Sequence, residues 1–305
     1  MTKSAFVAIV GRPNVGKSSL LNALVGEKVA IVSDKPQTTR TRILGILTQG
    51  EIQYVLLDTP GLHKPKTALS EYMVKQVNQS VSEVDVAVLV TEATGEITKA
   101  EQTLIQTFSE MQLPAILVIN KIDLLDEKEQ MLGKIAAFSQ LYNFSAVVPL
   151  SVLQHEGIEL LLEELSQFAQ EGPHFFPDDA MTDQPERVIV AEIIREKLLR
   201  NLREEIPHGI AVVVERMRDR ADDPESYGNK DIVDIDATIY CEKDSHKGIV
   251  IGKNGAMLKK VASEARAEVE SFLDIRVNLQ CWVKVRADWR NQASALRNFG
   301  FVENK

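Results

Sequence analysis

The chain has 305 residues, a formal net charge of −9 at pH 7 and only two cysteines. This length is enough for two domains that each bury a core, and the acidic balance means that any nucleic-acid site has to show as a local basic excess. Cys241 and Cys281 lie far apart in strand-like segments without a metal-binding pattern, which indicates small apolar core residues in a reducing compartment. Because the first residues lead straight into an apolar segment and no apolar stretch approaches about 18 residues, we expect neither a signal peptide nor a membrane span, and a cytoplasmic protein.

The first predicted element is a buried strand at residues 5–10, followed at once by the sequence GRPNVGKS. This sequence matches G-x-x-x-x-G-K-[ST], a loop whose backbone N–H groups and following helix bind phosphates. Lys17 would place its ammonium group against the β- and γ-phosphates of a nucleoside triphosphate, and the Ser18 hydroxyl would bind Mg²⁺. The alternative is a glycine-rich turn without a ligand, which gives no reason for this order of residues after a strand. The loop residues expected to bind the nucleotide are Gly11, Arg12, Pro13, Asn14, Val15, Gly16, Lys17, Ser18 and Ser19.

A polar loop and a short acidic motif come next. Residues 33–40 have no apolar periodicity and predict a mobile loop that can close over the metal, with one of its threonines as a further Mg²⁺ ligand. A predicted strand at residues 52–57 leads to Asp58, whose carboxylate can hold Mg²⁺ through water, and the N–H of Gly61 can bind the γ-phosphate. This motif adds Asp58, Thr59, Pro60, Gly61 and Leu62 to the expected nucleotide site.

The motif NKID follows a predicted strand at residues 115–119, at the strand end where open α/β sheets bind ligands. The Asp123 carboxylate can accept hydrogen bonds from N1–H and the 2-amino group of guanine, whereas adenine lacks this donor pair. A buried carboxylate without partners costs about 1–3 kcal/mol, so the motif predicts GTP over ATP. The segment Ser151-Val152-Leu153, after a predicted strand at residues 146–150, would pack beside the guanine. The residues expected at the base are Asn120, Lys121, Asp123, Ser151 and Val152.

These motifs occur in order over residues 5–170 and, together with Asn14 and the run Gln37-Thr38-Thr39-Arg40, resemble the TrmE-Era class of Ras-like GTPases. The resemblance implies an α/β fold, a Ras-like P-loop GTPase domain with a mixed, mostly parallel sheet. It implies that Thr39 is the Mg²⁺ ligand of the polar loop and that GTP hydrolysis is the reaction. The catalytic set is expected to be Lys17, Thr39 and Gly61. Val152 departs from the Ser-Ala-Leu motif that is usual in the class.

Leu62 occupies the position where Ras-type enzymes carry the glutamine that orients the attacking water. Because leucine cannot hydrogen-bond water, we expect slow hydrolysis unless another group or ion supplies orientation and positive charge. The resemblance suggests K⁺ as a second cofactor beside Mg²⁺, since related GTPases with an asparagine in the phosphate loop hold K⁺ partly through that side chain. Asn14 is the matching residue, and the alternative is that Asn14 only shapes the loop.

A domain boundary is expected after the predicted helix at residues 158–169. Residues 171–185 lose the helical period and contain three prolines and several acidic residues. We therefore expect a GTPase domain at residues 1–172, a linker at 173–186 and a second domain at 187–305. The pair Phe175-Phe176 is expected to pack the linker onto a domain.

The second domain has a predicted order of helix (188–205), strand (210–217), acidic loop, strand (232–241), short helix, glycine turn, helix (256–272) and strand (275–285). This order, with GKNG at the turn, resembles the type II KH domain, a smaller α+β domain whose turn clamps the backbone of about four nucleotides. Glycine lets the phosphates approach, and Lys253 supplies positive charge. The expected RNA-binding residues are Lys247, Gly248, Ile251, Gly252, Lys253, Asn254, Gly255 and Lys259.

The charge distribution supports an RNA site beside this turn. Residues 181–244 carry a net charge of −6, whereas residues 245–305 carry +5. The candidates for phosphate contact are Lys247, Lys253, Lys259, Lys260, Lys284, Arg286 and Arg290. The alternative is that they are ordinary solvated charges. Trp282 and Trp289 could stack on bases, but we expect Trp282 in the core, because tryptophan near a terminal strand more often anchors a core.

One Ras-like domain followed by one type II KH domain resembles the Era family of bacterial GTPases over nearly the whole chain. The resemblance implies binding of the 16S rRNA near its single-stranded 3′ end and a role in 16S rRNA processing and 30S subunit assembly. It also implies that GTP or GDP governs the arrangement of the domains. We expect a cytoplasmic monomer, with peripheral association at the inner face of the cell membrane as an additional location.

Two other functions are compatible with parts of this sequence. In the first, the second domain of the GTPase binds a protein or an anionic membrane, and GKNG is a structural turn. In the second, the chain is a modification enzyme or a double-domain GTPase of the same broad class. A single set of nucleotide motifs, and no C-terminal reactive cysteine of the modification enzymes, argue against this second alternative.

Overall fold

The computed structural model describes residues 1–35, 37–62, 67–127, 129–203, 206–221 and 231–301. Their contacts divide the chain into two compact units. The first contains the described parts of Met1–Val32, Thr39–Lys66 and Ser70–Asp183, and the second contains those of Ser33–Thr38, Thr67–Leu69 and Gln184–Lys305.

A mixed, mostly parallel sheet forms the centre of the first unit, as predicted. Its strands are β1 (Lys3–Val10), β2 (Ile43–Gln49), β3 (Ile52–Asp58), β4 (Val86–Glu92), β5 (Ala115–Asn120), β6 (Ala146–Pro149) and β7 (Gln170–Glu171). The order is β2-β3-β1-β4-β5-β6, and β7 pairs with β1. Only β2 and β7 run antiparallel to their described neighbours. Strands β1, β3, β5 and β6 match the predicted positions to within one or two residues, whereas β2 and β4 were not predicted.

Helices cover both faces of this sheet, because its central strands are apolar at successive positions. They are α1 (Lys17–Val25), α2 (Ala68–Ser82), α3 (Lys99–Met111), α4 (Glu129–Ser139) and α5 (Ile158–Ser166). Val88 and Val118 lie in a core with residues of α1 and α5. Leu89 and Leu117 point to the opposite face, into a core with residues of α2, α3 and α4. The predicted helix at residues 158–169 ends earlier, at Ser166, and the short strand β7, which was not predicted, follows at residues 170–171.

The segment after β7 packs on the first unit, as the pair Phe175-Phe176 predicts. The Oε1 atom of buried Gln53 accepts from the backbone N–H groups of Phe175 and Phe176, at 2.8 and 3.0 Å, and its Nε2 donates to the Phe176 carbonyl at 2.9 Å. The Phe175 ring lies edge-on to Phe6, with centroids 4.9 Å apart. This segment is therefore held by a fully bonded buried amide as well as by an aromatic contact.

The second unit has the predicted order of helices and strands. Its elements are α6 (Glu186–Asn201), β8 (Ala211–Asp219), β9 (Ile232–Cys241), α7 (Asp244–Ile251), α8 (Ala256–Leu273), β10 (Arg276–Val285) and the short α9 (Ala293–Asn298). The strand order is β10-β9-β8, with β10 parallel and β8 antiparallel to β9. Helix α9 was not predicted. The predicted helix at residues 188–205 ends at Asn201. Of the predicted segments, Pro36 in the polar loop, Glu204 and Glu205 at the helix end and residues 222–230 of the acidic loop lie outside the described residues.

The prediction for Trp282 is wrong. Trp282 is 45% exposed, whereas Trp289 is fully buried and donates its indole N–H to the Gly209 carbonyl at 2.9 Å. The alternation along β10 explains this, because Val277, Cys281 and other odd-numbered residues contact the core and turn Trp282 to the other face. Both cysteines lie in strands as predicted, and burial raises the pKa of each thiol to about 11. Among the described residues, no helix is long and apolar enough to cross a membrane.

Candidate nucleotide and RNA sites

The phosphate loop joins β1 to α1 and requires glycine at Gly16. The backbone of Gly16 is left-handed, with φ of 99°, and a Cβ atom there would lie 2.2 Å from Nδ2 of Asn120. Helix α1 begins directly afterwards, at Lys17, so the N–H groups of its first turn and its positive dipole end face the loop. The loop is therefore built to bring backbone donors close to an anion.

Lys17 lies deep in this loop. Its side chain is buried, and its ammonium group donates to the Arg12 carbonyl at 3.0 Å. Burial lowers the pKa of Lys17 to about 8, and the nearby Asp58 charge opposes this shift. The side chain still carries a proton at neutral pH. It can therefore present a positive charge to a phosphate without the full solvation of a surface lysine.

Three oxygen-bearing side chains from different segments meet beside Lys17. The Ser18 hydroxyl donates to Oδ2 of Asp58 at 2.6 Å and lies 2.9 Å from the Thr39 hydroxyl, which is 3.4 Å from the same Asp58 oxygen. Thr38 is not part of this group, since its hydroxyl donates to the Lys35 carbonyl at 2.6 Å. The structure thus brings together the three predicted Mg²⁺ ligands.

The chemistry of this group fits a hard cation. The other oxygen of Asp58, Oδ1, is buried and has no hydrogen-bond partner among the described residues. Burial raises the pKa of Asp58 to about 6, although Lys17, Ser18 and Thr39 act in the opposite direction. A buried carboxylate with an unpaired oxygen and two adjacent hydroxyls offers the oxygen ligands that Mg²⁺ prefers. The residues present therefore fit the predicted metal.

The segment after β3 is fixed against β1. The Thr59 hydroxyl donates to the Ile9 carbonyl at 2.9 Å, and the Leu62 N–H donates to the Gly11 carbonyl at 3.2 Å. Gly61 lies against the phosphate loop, since a Cβ atom there would be 2.7 Å from the backbone of Pro13. The Leu62 side chain packs on the apolar core between the sheet and helices α2, α3 and α4, and it has no group that could orient water. Pro60 is buried in the same segment.

The predicted base-binding residues also converge. Asn120 donates to the Val15 carbonyl at 2.8 Å, and its Oδ1 accepts from the N–H groups of Lys121 and Val152, at 2.7 and 3.2 Å. The buried Ser151 hydroxyl donates to Oδ1 of Asp123 at 2.5 Å. Asn120 thus connects the phosphate loop, the NKID segment and the loop after β6. Asp123 is held by Ser151 in a fixed orientation.

Glu92, at the carboxyl end of β4, belongs to this site and was missed in the sequence. Its carboxylate accepts from the Lys121 ammonium through Oε1 and from the Arg12 guanidinium through Oε2. Burial acts to raise the pKa of Glu92, but the hydrogen bonds and charges of Lys121 and Arg12 outweigh it, so the pKa is lowered. The available signal was an acidic residue at the end of a strand that begins with five apolar residues, in a sheet where two other strands also end in polar residues.

The second unit presents the GKNG turn between α7 and α8. Gly252 has φ of 73°, and a Cβ atom there would lie 2.9 Å from the backbone nitrogen of Met257. Asn254 and Gly255 are also left-handed, with φ of 53° and 78°. Lys253, Asn254 and Lys259 are exposed, and Gly255 is the last residue before the 18-residue helix α8. The remaining predicted residues, Lys247, Gly248 and Ile251, lie on α7.

Three of the predicted phosphate contacts have partners within the protein, and one of them is Lys260, whose ammonium lies 3.8 Å from the Glu264 carboxylate. Arg290 forms a bidentate ion pair with Glu242, with N–O distances of 3.0 and 2.5 Å. The Arg286 guanidinium lies over the Phe299 ring, 5.4 Å from its centroid. Because these two cations contribute to packing of the C-terminal segment, the exposed lysines around the turn are the stronger candidates for phosphate contact.

Comparison with known proteins finds a GTPase family and a KH-domain family in the chain. The family described as "50S ribosome-binding GTPase" matches residues 6–121, and the family described as "KH domain" matches residues 205–290. The chain is 48% identical to GTPase Era of Ruminiclostridium cellulolyticum over 303 residues and 48% identical to GTPase Era of Clostridioides difficile over 301 residues, with 99% of each chain covered. The chain belongs to the Era family of GTPases. Members of the Era family hydrolyse GTP, and this chain is a GTPase.

Solved Era structures resemble the chain over its whole length. One is a crystal structure of Era in complex with MgGDPNP and nucleotides 1506–1542 of 16S ribosomal RNA, with a TM-score of 0.94, 37% identity and coverage of 99% of this chain and 100% of that one. Another is a variant of Aquifex aeolicus Era bound to GDP and AlF4⁻, with a TM-score of 0.93 and the same identity. These similarities confirm the predicted fold class and its KH domain.

Proposed function

We propose that this chain binds and hydrolyses GTP in its first unit and binds 16S rRNA near the single-stranded 3′ end in its second unit, acting in 16S rRNA processing and 30S subunit assembly. The observation that carries the RNA part is the exposed GKNG turn before α8, in a fold that matches an Era structure containing 16S rRNA over 99% of the chain. A monomeric state and a cytoplasmic location are part of the same proposal, as are the domain bounds at residues 172 and 187.

The turn has the properties that an RNA backbone requires. Gly252 has no side chain to keep a phosphate away, and exposed Lys253 provides charge at the same point. Helix α8 begins just after the turn and directs its positive dipole end there. Ile249 on α7 is 49% exposed and gives an apolar surface for a base. A single strand suits such a site, because its unstacked bases can be contacted, whereas an RNA duplex hides them.

In the nucleotide site, different groups bind the base, the phosphates and the metal. Asp123, held by Ser151, reads guanine, and Lys17 and the phosphate-loop N–H groups bind the phosphates. The Gly61 N–H binds the γ-phosphate, where negative charge develops during hydrolysis. Leu62 cannot orient water, so the intrinsic rate is slow. Ser18, Thr39 and Asp58 would hold Mg²⁺, which when bound neutralises charge on the phosphate oxygens.

K⁺ is the second cation in the proposal, with Asn14 as its side-chain ligand. Asn14 is exposed in the phosphate loop with a left-handed backbone (φ 66°), and its carbonyl accepts from the Lys121 ammonium at 2.9 Å. The wild-type chain should turn over GTP faster in K⁺ than in Na⁺ buffer. Asn14→Ala should remove this difference and leave the Na⁺ rate unchanged. Equal rates of the wild type in both buffers would exclude a role for K⁺.

The RNA assignment can be tested by fluorescence anisotropy with a labelled single strand of the 16S rRNA 3′ end. The double variant Lys253→Asp with Asn254→Asp reverses charge at the turn and should weaken binding at least about tenfold at moderate salt, because it removes a phosphate contact and adds repulsion. Lys75→Asp, at an exposed lysine of α2, is the matched control and should bind like wild type. Unchanged binding by the turn variant would refute the clamp.

The same variants separate RNA from the other partners considered. Anionic vesicles and the wild-type chain, sedimented together, test the peripheral membrane location. If the vesicles retain the wild type but not the turn variant, and RNA binding is absent in both, the second unit recognises membrane and the RNA proposal fails. RNA binding that depends on Lys253 and Asn254 supports the proposal.

Nucleotide state is proposed to act through Thr39. Its hydroxyl contacts Ser18 and Asp58, so the nucleotide and its metal would order the preceding loop, and hydrolysis would release it. RNA affinity should therefore differ between GDP and a non-hydrolysable GTP analogue, and Thr39→Ala should abolish the difference. Identical affinities in the two states would end this part of the proposal.

A further inference from the structure

Glu92 occupies a position between the two halves of the nucleotide site. It is the last residue of β4, and in the β4–β5 pairing it lies opposite Asn120, the first residue of NKID. Its side chain is only 20% exposed. One carboxylate oxygen accepts from Lys121 and the other from Arg12, so a single side chain bridges the base-binding segment and the phosphate loop.

The surrounding contacts fix Glu92 in this place. The buried Lys134 on α4 donates to the carbonyl oxygens of Glu92, Thr94 and Gly95, the last two at 3.0 and 3.2 Å, and so holds the loop after β4. Beside it, fully buried Glu101 accepts from the Thr91 hydroxyl at 2.7 Å. The Glu92 carboxylate is thus presented from a rigid strand end rather than from a free loop.

Among the described residues, the Lys121 ammonium has two acceptors, one in the phosphate loop and one at the end of β4. Its ammonium donates to the Asn14 carbonyl at 2.9 Å and to Glu92, while its backbone is left-handed, with φ of 65°. Only one of these acceptors is charged. Because charge-assisted hydrogen bonds are stronger and more directional than neutral ones, Glu92 contributes most to keeping the long Lys121 side chain in one orientation. That orientation determines how the aliphatic part of the Lys121 side chain packs against a base bound next to Asp123.

We infer that Glu92 is a positioning residue for guanine-nucleotide binding: it holds Lys121 across the guanine site and ties it to the phosphate loop through Arg12. The residue contacts neither phosphate nor base, and it acts through Lys121. The inference rests on the proposed guanine contact of the NKID segment. It predicts an effect on the lifetime of the bound nucleotide, and none on the chemical step.

Glu92→Gln tests this inference, because it keeps the shape of the side chain and removes its charge. The dissociation rate of a fluorescent GDP analogue should rise about tenfold, as expected for loss of a charge-assisted bond in a partly exposed site. The KM for GTP should rise by a similar factor, with kcat unchanged. Glu96→Gln is the matched control, since it makes the same substitution at an exposed residue of the same loop, and it should behave like wild type.

A double-mutant cycle separates positioning from a general structural role. If Glu92 acts through Lys121, Glu92→Gln should accelerate GDP dissociation in the wild-type and Arg12→Met backgrounds but have no further effect in Lys121→Met. An equal effect in the Lys121→Met background, or a lowered kcat, would overturn the inference. So would unchanged GDP dissociation in Glu92→Gln. Absence of GDP binding by the wild type would instead refute the proposed nucleotide site, which makes the two failures distinguishable.

Discussion

Replacement of Gly16 by alanine tests how tightly the phosphate loop and the base-binding segment are joined. The added Cβ would lie 2.2 Å from Nδ2 of Asn120, far inside van der Waals contact, so Asn120 has to move. That amide cannot move freely, because it is 3% exposed and makes three hydrogen bonds, to the backbone of Val15, Lys121 and Val152. The variant should therefore lose both stability and nucleotide affinity.

The expected loss in the free energy of unfolding has two contributions. A left-handed backbone costs about 1–2 kcal/mol for a residue with a Cβ atom. Displacing a buried amide from its partners costs about 1–3 kcal/mol more. The sum of roughly 2–5 kcal/mol corresponds to a fall of about 5–15 °C in the unfolding midpoint of a unit of this size. The GDP affinity should fall at least about tenfold, because each 1.4 kcal/mol is a factor of ten.

The assays are thermal unfolding without nucleotide and titration with a fluorescent GDP analogue. Gly133→Ala is a matched control, in which the same substitution should raise stability and not lower it. Gly133 is exposed within α4, and a Cβ atom there would have no heavy atom within 4 Å. Alanine in a helix interior is more favourable than glycine by about 1 kcal/mol, so this variant should be slightly more stable than wild type with unchanged affinity. An unaltered unfolding midpoint and GDP affinity in Gly16→Ala would show that Asn120 does not restrict residue 16.

Three further predictions concern single residues. Asp123→Ala should reduce the preference for GTP over ATP in competition titrations by about ten- to a hundredfold, because it removes the acceptor for the guanine donor pair, and an unchanged preference would contradict this assignment. The pKa of Asp234 is lowered to about 2, mainly by the hydrogen bonds from Arg220, so the ionised carboxylate stabilises the fold above about pH 4 and this contribution is lost as the pH falls through 2. Asp234→Asn should therefore lower the urea midpoint at pH 7 but not at pH 2. An equal loss of the urea midpoint at both pH values would exclude the ion pair as the cause. Trp289→Phe should destabilise by about 1–3 kcal/mol, since it leaves the Gly209 carbonyl unpaired, while the exposed Trp282→Phe stays within about 0.5 kcal/mol in the same unfolding measurement.

Local motifs predicted the fold, and the residues that they assign to the nucleotide site lie together in the structure, because each motif adjoins a strand whose sequence is unambiguous. The apolar runs before Gly11, Asp58 and Asn120 are buried strands in a parallel sheet, and parallel strands bring their carboxyl ends to one edge. The contact between Ser18 and Asp58 follows from this topology, and the sequence alone was therefore sufficient to predict it.

Contacts between residues distant in the chain could not be predicted in this way. Nothing near Glu92 in the sequence indicates that its partners are Arg12 and Lys121. The sequence also gives no indication that Arg290 pairs with Glu242. The exposure of Trp282 is different. The alternation along β10 turns Trp282 away from the core-facing residues, and this alternation outweighs the general tendency of tryptophan to anchor cores.

The most direct test of the account is photochemical crosslinking of the wild-type chain to a 4-thiouridine-labelled strand of the 16S rRNA 3′ end, with the attached peptides identified by mass spectrometry. We expect the principal crosslinks to fall on residues 249–259, around the exposed Lys253 and Asn254, and to persist when Lys75 is changed to Asp. Crosslinks confined to the exposed sheet face around Trp282, or to the first unit, would contradict it.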